Sequence, residues 1–244
     1  MKRSRYILAI VILISSVSFI NLPKIEAKTS FTTQYVQADV LNVRMKATPN
    51  SKKLGHLKKN ETVKVISTSK GWSKIQYKKG TAYVSATYLN SKKYVKKVTG
   101  NLLPKIGKYT YKNYEEDIYY GKSTESYVKV KGGVKAKSKN GLDTSYLENS
   151  KYFTYLSPTG HTSFRLNYPL TKGKKWKNEQ DEVQIQDINM SVKTAAGSFN
   201  EVVKVRIDHK IYDTYSHYYI APGKGIVLWK LNGKKKFQLE KYTK

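Results

Sequence analysis

The chain has 244 residues and a formal net charge of +29, from 46 basic and 17 acidic side chains. It contains no cysteine, which excludes disulfides, thiol catalysis and thiolate metal sites. There are 21 tyrosines, and a chain rich in tyrosine, valine, threonine and lysine but poor in helix formers favours an all-β fold.

The first 27 residues have the pattern of a secretory signal peptide. Three of the first five residues are basic, an apolar run spans 6–20, and Ala27 ends the segment with a small side chain. The run is about 15 residues long, shorter than the roughly 20 that a membrane-spanning helix needs. We therefore predict export with cleavage near Ala27; the alternative is an uncleaved anchor. No second apolar run of spanning length follows, so we expect no transmembrane segment in the mature chain.

Residues 28–35 are interpreted as a polar tail, and residues 36–90 as short strands separated by turns. Val63 and Val65 share one face of an alternating run. In the run 72–77, Trp72 lies on the face opposite Ile75. About five short strands, with a turn every eight to twelve residues or so, predict a small barrel.

Residues 91–107 are basic at their start and contain glycine and proline, which predicts a partly ordered linker. Residues 108–244 contain about nine strand-like runs and no long helical pattern. A phase slip in the run 183–193 predicts a β-bulge near Asp187. The pair Asn232-Gly233 predicts a type I′ hairpin turn.

A set of short motifs lies between residues 41 and 89: Leu41-Asn42-Val43-Arg44, Leu54-Gly55 with Leu57, Val63-Lys64-Val65, Gly71-Trp72-Ser73-Lys74-Ile75 and Tyr83-Val84-Ser85-Ala86-Thr87-Tyr88-Leu89. Together these motifs resemble the bacterial SH3-like domain. The resemblance implies a small SH3-like barrel over residues 36–90, of a kind that often targets proteins to bacterial cell walls. Lys46 and Ala82 stand where this family commonly has glycine, which affects the loops more than the fold.

The resemblance also implies a shallow groove rimmed by loops, with Asn42, Arg44, Trp72, Tyr77 and Tyr83 as ligand-binding candidates. The Asn42 amide can hydrogen-bond to peptide groups, and Arg44 can pair with a carboxylate. The three aromatic rings can stack on a glycine-rich peptide or on a sugar face. Two alternatives stay open: Asn42 and Arg44 fasten a loop, and Trp72 and Tyr83 belong to the core.

Four further sequence segments lie in the C-terminal part: Tyr168-Pro169-Leu170, Gly173-Lys174-Lys175-Trp176, Val192-Lys193-Thr194-Ala195-Ala196-Gly197-Ser198-Phe199 and Tyr218-Tyr219-Ile220-Ala221-Pro222-Gly223-Lys224-Gly225-Ile226-Val227. With these segments the C-terminal part resembles an uncharacterised exported family of Gram-positive bacteria. This resemblance implies that residues 108–244 form a larger antiparallel curved sheet or half-barrel, and it names no ligand or reaction.

No catalytic set is complete in the sequence. His209 and Asp213 have the spacing of half a zinc site, but only His217 follows, and zinc needs three protein ligands. We interpret His209 and Asp213 as a surface pair on a strand.

A Ser-His-Asp set stays open on composition, although the Gly-x-Ser-x-Gly elbow is missing. The acidic clusters 115–117 and 179–182 are interpreted as solvated loops rather than a glycosidase pair. We predict a non-catalytic protein without metal or cofactor.

Cleavage after Ala27 leaves 42 basic and 16 acidic residues, a net charge of +26. Such a surface attracts polyanions, which outside a Gram-positive cell are peptidoglycan and teichoic acid rather than nucleic acid. We therefore predict a secreted, cell-wall-associated, peptidoglycan-binding protein, with teichoic acid as a second partner. The alternatives are lysines that serve solubility alone, a secreted small-ligand carrier or inhibitor acting through the C-terminal domain, and a cell-wall hydrolase accessory.

Overall fold

The computed structural model describes residues 30–244 and divides them into two compact units, one ending at Tyr94 and the other beginning at Val95. Both units consist of antiparallel strands, which confirms the predicted all-β fold. No helix within residues 30–244 is long and apolar enough to cross a membrane. The predicted signal peptide, residues 1–27, lies outside the described residues.

The first unit contains β1 Thr32–Val36, β2 Val40–Arg44, β3 Lys53–Lys58, β4 Thr62–Ser69, β5 Trp72–Tyr77, β6 Gly80–Ser85 and β7 Leu89–Asn90, with a 3-10 turn at Ala86–Tyr88. These strands form one sheet in the order β3-β2-β6-β5-β4-β1-β7. The prediction of a polar tail over residues 28–35 is wrong for β1, where Gln34 pairs with Val63 of β4. Backbone hydrogen bonds order this strand, since its first two side chains are exposed.

The core of the first unit follows from the alternation of apolar side chains along its strands. Each fully buried Val, Leu or Ile stabilises the fold by about 1.5–3 kcal/mol. The buried apolar set is Val36, Leu41, Val43, Leu57, Val63, Val65, Ile75, Ala82 and Val84. The residues between these in β2, β5 and β6 therefore face outward.

The second unit contains β8 Gly107–Glu115, β9 Ile118–Val130, β10 Gly133–Ser138, β11 Thr144–Glu148, β12 Tyr152–Leu156, β13 Thr162–Asn167, β14 Lys175–Asn178, β15 Asp181–Thr194, β16 Gly197–His209, β17 Thr214–Ala221, β18 Gly225–Leu231 and β19 Lys234–Thr243. These strands form one antiparallel sheet in the order β13-β12-β11-β10-β9-β8-β19-β18-β17-β16-β15-β14. The larger antiparallel curved sheet predicted for this part is confirmed. Strands β11 and β14 were not among the runs predicted from sequence, and β19 was predicted only as the second strand of the hairpin at Asn232-Gly233.

Strands β13 and β14 are the two edges of this sheet. Side-chain hydrogen bonds connect them, so the sheet is nearly closed into a barrel. Trp176 and Asn178 of β14 donate side-chain hydrogen bonds to the carbonyl of Arg165 on β13, at 3.0 and 3.2 Å. The interior is largely aromatic: the ring centroids of Tyr109 and Tyr127 lie 4.3 Å apart, and both side chains are buried. Burial of such large rings stabilises the barrel strongly.

Part of the segment predicted as a linker, residues 91–107, packs onto the second unit. Val98 exchanges backbone hydrogen bonds of 3.0 and 2.8 Å with Leu170, and Leu102 is fully buried in the core. Lys105 donates a further backbone bond to Gly223. Residues 95–106 are therefore fixed to the barrel rather than acting as a spacer.

Two local predictions in the second unit are confirmed. The register of β15 against β16 shifts on both sides of Asp187, whose carboxylate accepts hydrogen bonds from the next two backbone amides. Asn232 and Gly233 both have positive φ, 48° and 84°, between β18 and β19. Both positive angles are the signature of a type I′ turn.

Candidate functional site

Two neighbouring grooves on the first unit meet at Trp72. Their volumes are about 410 Å³ and about 370 Å³. Because Trp72 lines both, its half-buried indole is a wall that they share. The larger groove is lined by Ala38, Val40, Leu41, Asn42, Arg44, Pro49, Trp72, Ser85 and Tyr88. The smaller is lined by Ala47, Ser67, Ser69, Lys70, Trp72, Lys74 and Tyr83.

Strand alternation and register bring the predicted residues to this surface. Asn42 and Arg44 alternate with buried residues of β2, and Tyr83 lies between two buried residues of β6. Tyr83 pairs with Arg44 on one side and with Lys74 of β5 on the other. Cross-strand neighbours on one face have Cβ atoms only about 4.5–5.5 Å apart. The outer face of β2, β6 and β5 thus collects these side chains around Trp72.

Trp72 and Tyr83 are not part of the hydrophobic core, so the alternative that placed them there is wrong. Both are half-buried, whereas the core members on the same two strands, such as Ile75 and Val84, are almost completely buried. The exposed portions of both rings line the grooves. A half-buried ring keeps a fixed position while presenting apolar area to a ligand.

Arg44 has a structural contact of its own. Its Nη1 donates a 2.8 Å hydrogen bond to the carbonyl of Ser51, and the hydroxyl of Ser51 accepts a bond from the amide of Lys46. These bonds fasten the loop 45–52, which includes groove residue Pro49. Arg44 therefore shapes the groove and is itself one of the residues that line it.

Asn42 differs from Arg44 in having a free side chain. Within residues 30–244, the structure contains no hydrogen bond from or to the Asn42 amide group. A half-buried carboxamide offers both donors and an acceptor, which matches the alternating groups of a peptide backbone. The amide is thus the polar group of the larger groove best suited to bind a peptide.

Tyr77 lies apart from both grooves. Its ring packs against the core cluster of the first unit, and its hydroxyl occupies the space that a side chain at Gly55 would fill. Tyr77 ends β5, five residues after Trp72, and therefore sits at the opposite end of the strand. Of the five predicted residues, the structure gathers Asn42, Arg44, Trp72 and Tyr83, and leaves Tyr77 outside.

Some residues that line the grooves were missed by the sequence analysis. Tyr88, 48% exposed, lies in the 3-10 turn after β6, and Val40, 61% exposed, begins β2. Lys70 lies in the turn before Trp72, with a φ of 48°. In the sequence, Tyr88 and Val40 are an aromatic residue and a valine next to short turns. The sequence does not specify which turn lies beside which strand in the fold.

The surroundings of the grooves are strongly cationic. Residues 30–94 carry 13 basic and 2 acidic side chains, a net charge of +11. Both acids are engaged elsewhere: Asp39 pairs with Lys59 at 2.5 Å, and Glu61 accepts a bond from the amide of Lys58. The potential around the grooves therefore favours an anionic ligand.

The second unit has a cleft of about 510 Å³ beside its two edge strands. Charges of both signs line it, which suits a polar ligand better than an apolar one. None of the five predicted site residues belongs to it. Its lining residues are Thr162, Ser163, Arg165, Lys177, Asn178, Glu179, Gln180, Asp181, Ile207, Ile211 and Tyr212.

His209 connects Asp181 and Ser216 by hydrogen bonds. Its Nδ1 lies 2.8 Å from Asp181 Oδ2, and its Nε2 lies 3.0 Å from Ser216 Oγ. The predicted surface pair of His209 with Asp213 is wrong. Asp213 belongs to the turn that follows β16, whereas Asp181 begins the neighbouring strand β15, opposite His209.

This chain of contacts has the order of a Ser-His-Asp set, but its nucleophile position is closed. Ser216 is 1% exposed, and its hydroxyl also accepts a 3.2 Å hydrogen bond from Trp229 Nε1. A catalytic serine must reach a substrate carbonyl. The geometry therefore favours a polar network that satisfies buried groups of β15 to β18. Among residues 30–244, no three His, Asp or Glu side chains converge as in a metal site.

Comparison with known families gives a match for the unit that carries the two grooves. Residues 39–90 match the family model described as bacterial SH3 domain. This match confirms the resemblance inferred from the motifs between residues 41 and 89. Comparisons with curated proteins and with solved structures each find no match to the chain. The resemblance of the C-terminal part to an exported family stays a prediction.

Proposed function

We propose that the protein is an exported, non-catalytic binder of peptidoglycan in the cell wall, and that the grooves around Trp72 hold the ligand. The observation that carries this proposal is the half-buried indole shared by two grooves of a cationic bacterial SH3 domain. Domains of this family often bind peptidoglycan. The net charge of +11 on residues 30–94 supports an anionic wall as the partner.

Each groove residue has a distinct part in the proposed binding. The Trp72 ring stacks on a glycine-rich peptide or a sugar face and buries apolar area there. The Asn42 amide bonds to the peptide backbone, and Lys70 and Lys74 attract wall carboxylates. Arg44 holds the loop that forms one side of the larger groove.

The alternative of an apolar-ligand carrier has less support. A cavity in the barrel interior beside Glu125 has a volume of about 40 Å³, room for water rather than for a lipid chain. The larger cleft is lined by charged and polar side chains. The hydrolase alternative also has little support, because Ser216 is buried and a catalytic serine must reach its substrate.

Sedimentation with purified Gram-positive sacculi tests the proposal. The protein beginning at residue 28, which includes every described strand, is compared at low salt with Trp72→Ala and Asn42→Ala variants. Tyr120→Ala serves as a control, since it removes an aromatic ring that is 68% exposed on the second unit. We expect Trp72→Ala to weaken binding at least tenfold, with unchanged circular dichroism, and Tyr120→Ala to bind normally. Wild-type protein that stays in the supernatant would refute the proposal, and so would a Trp72→Ala variant that binds like wild type.

A further inference from the structure

A cationic cluster lies on the outer face of strands β16, β17 and β18, consisting of Lys204, Arg206, His217 and Lys230. Arg206, His217 and Lys230 occupy one rung of the sheet, because His217 of β17 pairs with Arg206 on one side and with Lys230 on the other. Lys204 occupies the next rung on the same face of β16. The side chains of the rung are therefore direct neighbours.

The imidazole at the centre of this cluster has an unsatisfied nitrogen. Within residues 30–244, Nε2 of His217 is buried and has no hydrogen-bond partner. Buried polar groups nearly always have a partner, in the protein or in a bound molecule. A ligand oxygen placed beside this nitrogen would therefore supply its missing partner.

The cluster also has an excess of positive charge. Asp208 is paired with Arg206 at 2.6 Å, and Asp187, the other carboxylate close by, is paired with Lys172 at 2.9 Å. In the part of the chain that the structure describes, neither Lys204 nor Lys230 has an ion pair or a side-chain hydrogen bond. The next strand adds a further cation, because Lys235 of β19 is opposite Lys230.

Burial and the neighbouring positive charges together lower the pKa values of two groups in the cluster. Burial, followed by Lys230 and Arg206, lowers the pKa of Lys204, while Asp187 opposes this. Burial, followed by Lys204, Arg206 and Lys230, lowers the pKa of His217 to about 4, against the opposing charge of Asp208. An anion placed among these groups would relieve the repulsion.

We propose that Lys204, Arg206, His217 and Lys230 form a phosphate-binding site, whose occupant at the cell surface is the phosphodiester backbone of an anionic wall polymer. The two free ammonium groups and the Nε2–H of a neutral imidazole donate to phosphate oxygens, which charge-assisted hydrogen bonding favours. This inference rests on the proposed function for its location at the wall. The second unit thereby adds a contact to the one made by the Trp72 grooves.

The site is tested first with inorganic phosphate on the protein beginning at residue 28. The titration of His217 is followed by NMR, with chloride at the same ionic strength as reference. We expect the titration midpoint of His217 to be higher in phosphate than in chloride. The Lys204→Gln/Lys230→Gln variant should lose at least tenfold in phosphate affinity. The control Lys129→Gln/Lys139→Gln removes the same charge from exposed positions and should bind normally. The phosphate site would be overturned if the midpoint of His217 were the same in both salts. It would also be overturned if both double variants lost the same amount of phosphate affinity.

Sacculi with and without their phosphate polymers separate this inference from the proposed function. Stripped sacculi should still retain the protein through the Trp72 grooves, and intact sacculi should bind it more tightly. The Lys204→Gln/Lys230→Gln variant should lose only this gain. Absence of the gain refutes the phosphate site alone, and absence of binding to stripped sacculi refutes the proposed function alone. Capture by phosphatidylglycerol vesicles as strong as capture by intact sacculi would overturn the assignment to a wall polymer.

Discussion

The guanidinium of Arg44 donates a 2.8 Å hydrogen bond to the backbone carbonyl of Ser51, seven residues further along the chain. The bond ties the loop 45–52 back to β2, and Pro49 of this loop lines the larger groove beside Trp72. The shape of the groove therefore depends on Arg44, whether or not its guanidinium touches the ligand.

Replacement of Arg44 by alanine should affect stability and binding together. We expect Arg44→Ala to lower the free energy of unfolding by about 1–2 kcal/mol, since the Ser51 carbonyl loses a charge-assisted donor. Binding to sacculi should weaken because the loop is no longer held. Urea unfolding and sedimentation measure the two effects. The control Lys53→Gln removes a nearby exposed charge, and equal losses in both variants would show that charge, not loop geometry, matters.

The polar network of Ser216, His209 and Asp181 predicts a loss of stability rather than of catalysis. Ser216→Ala should lower the free energy of unfolding by about 1–3 kcal/mol, because His209 Nε2 and Trp229 Nε1 both lose their partner. The exposed Ser198→Ala serves as control. The wild-type protein should not react with a fluorophosphonate serine label, and labelling of Ser216 would contradict the structural role.

Glu125 in the barrel interior should make stability fall as pH rises. Burial raises the pKa of Glu125, opposed by the 3.0 Å hydrogen bond from Tyr127. The folded protein therefore keeps a proton that the unfolded chain has already lost above the ordinary value of 4.5. Stability declines as pH rises from there through the higher folded-state pKa. Glu125→Gln should abolish this decline in urea unfolding measured from pH 4 to 7, whereas the exposed Glu179→Gln should retain it.

His217 should make stability fall as pH decreases, which is the opposite of the effect expected from Glu125. Its pKa falls from 6.5 to about 4 in the folded protein, through burial first and then through neighbouring cations. Between these values the unfolded chain binds a proton that the folded protein does not, so stability decreases as pH falls. The difference in unfolding free energy between wild type and His217→Gln should change across this window and level off outside it. The exposed His161→Gln should show no such change.

The sequence by itself determined the local β structure. Alternation of apolar and polar residues placed Ile75 and Trp72 on opposite faces of one strand, because side chains of a strand point alternately to its two faces. The hairpin at Asn232-Gly233 and the bulge at Asp187 were also local signals. The bacterial SH3 motifs then located the grooved unit.

Only the tertiary structure decided which distant segments meet. Pairing of β8 with β19 joins the two ends of the second unit, and Asp181 reaches His209 across 28 positions of sequence. The same applies to His217, whose cationic neighbours come from two other strands. Such contacts depend on which strands pair and on the curling of a whole sheet, whereas a pattern with a period of two residues assigns side chains only to one face or the other.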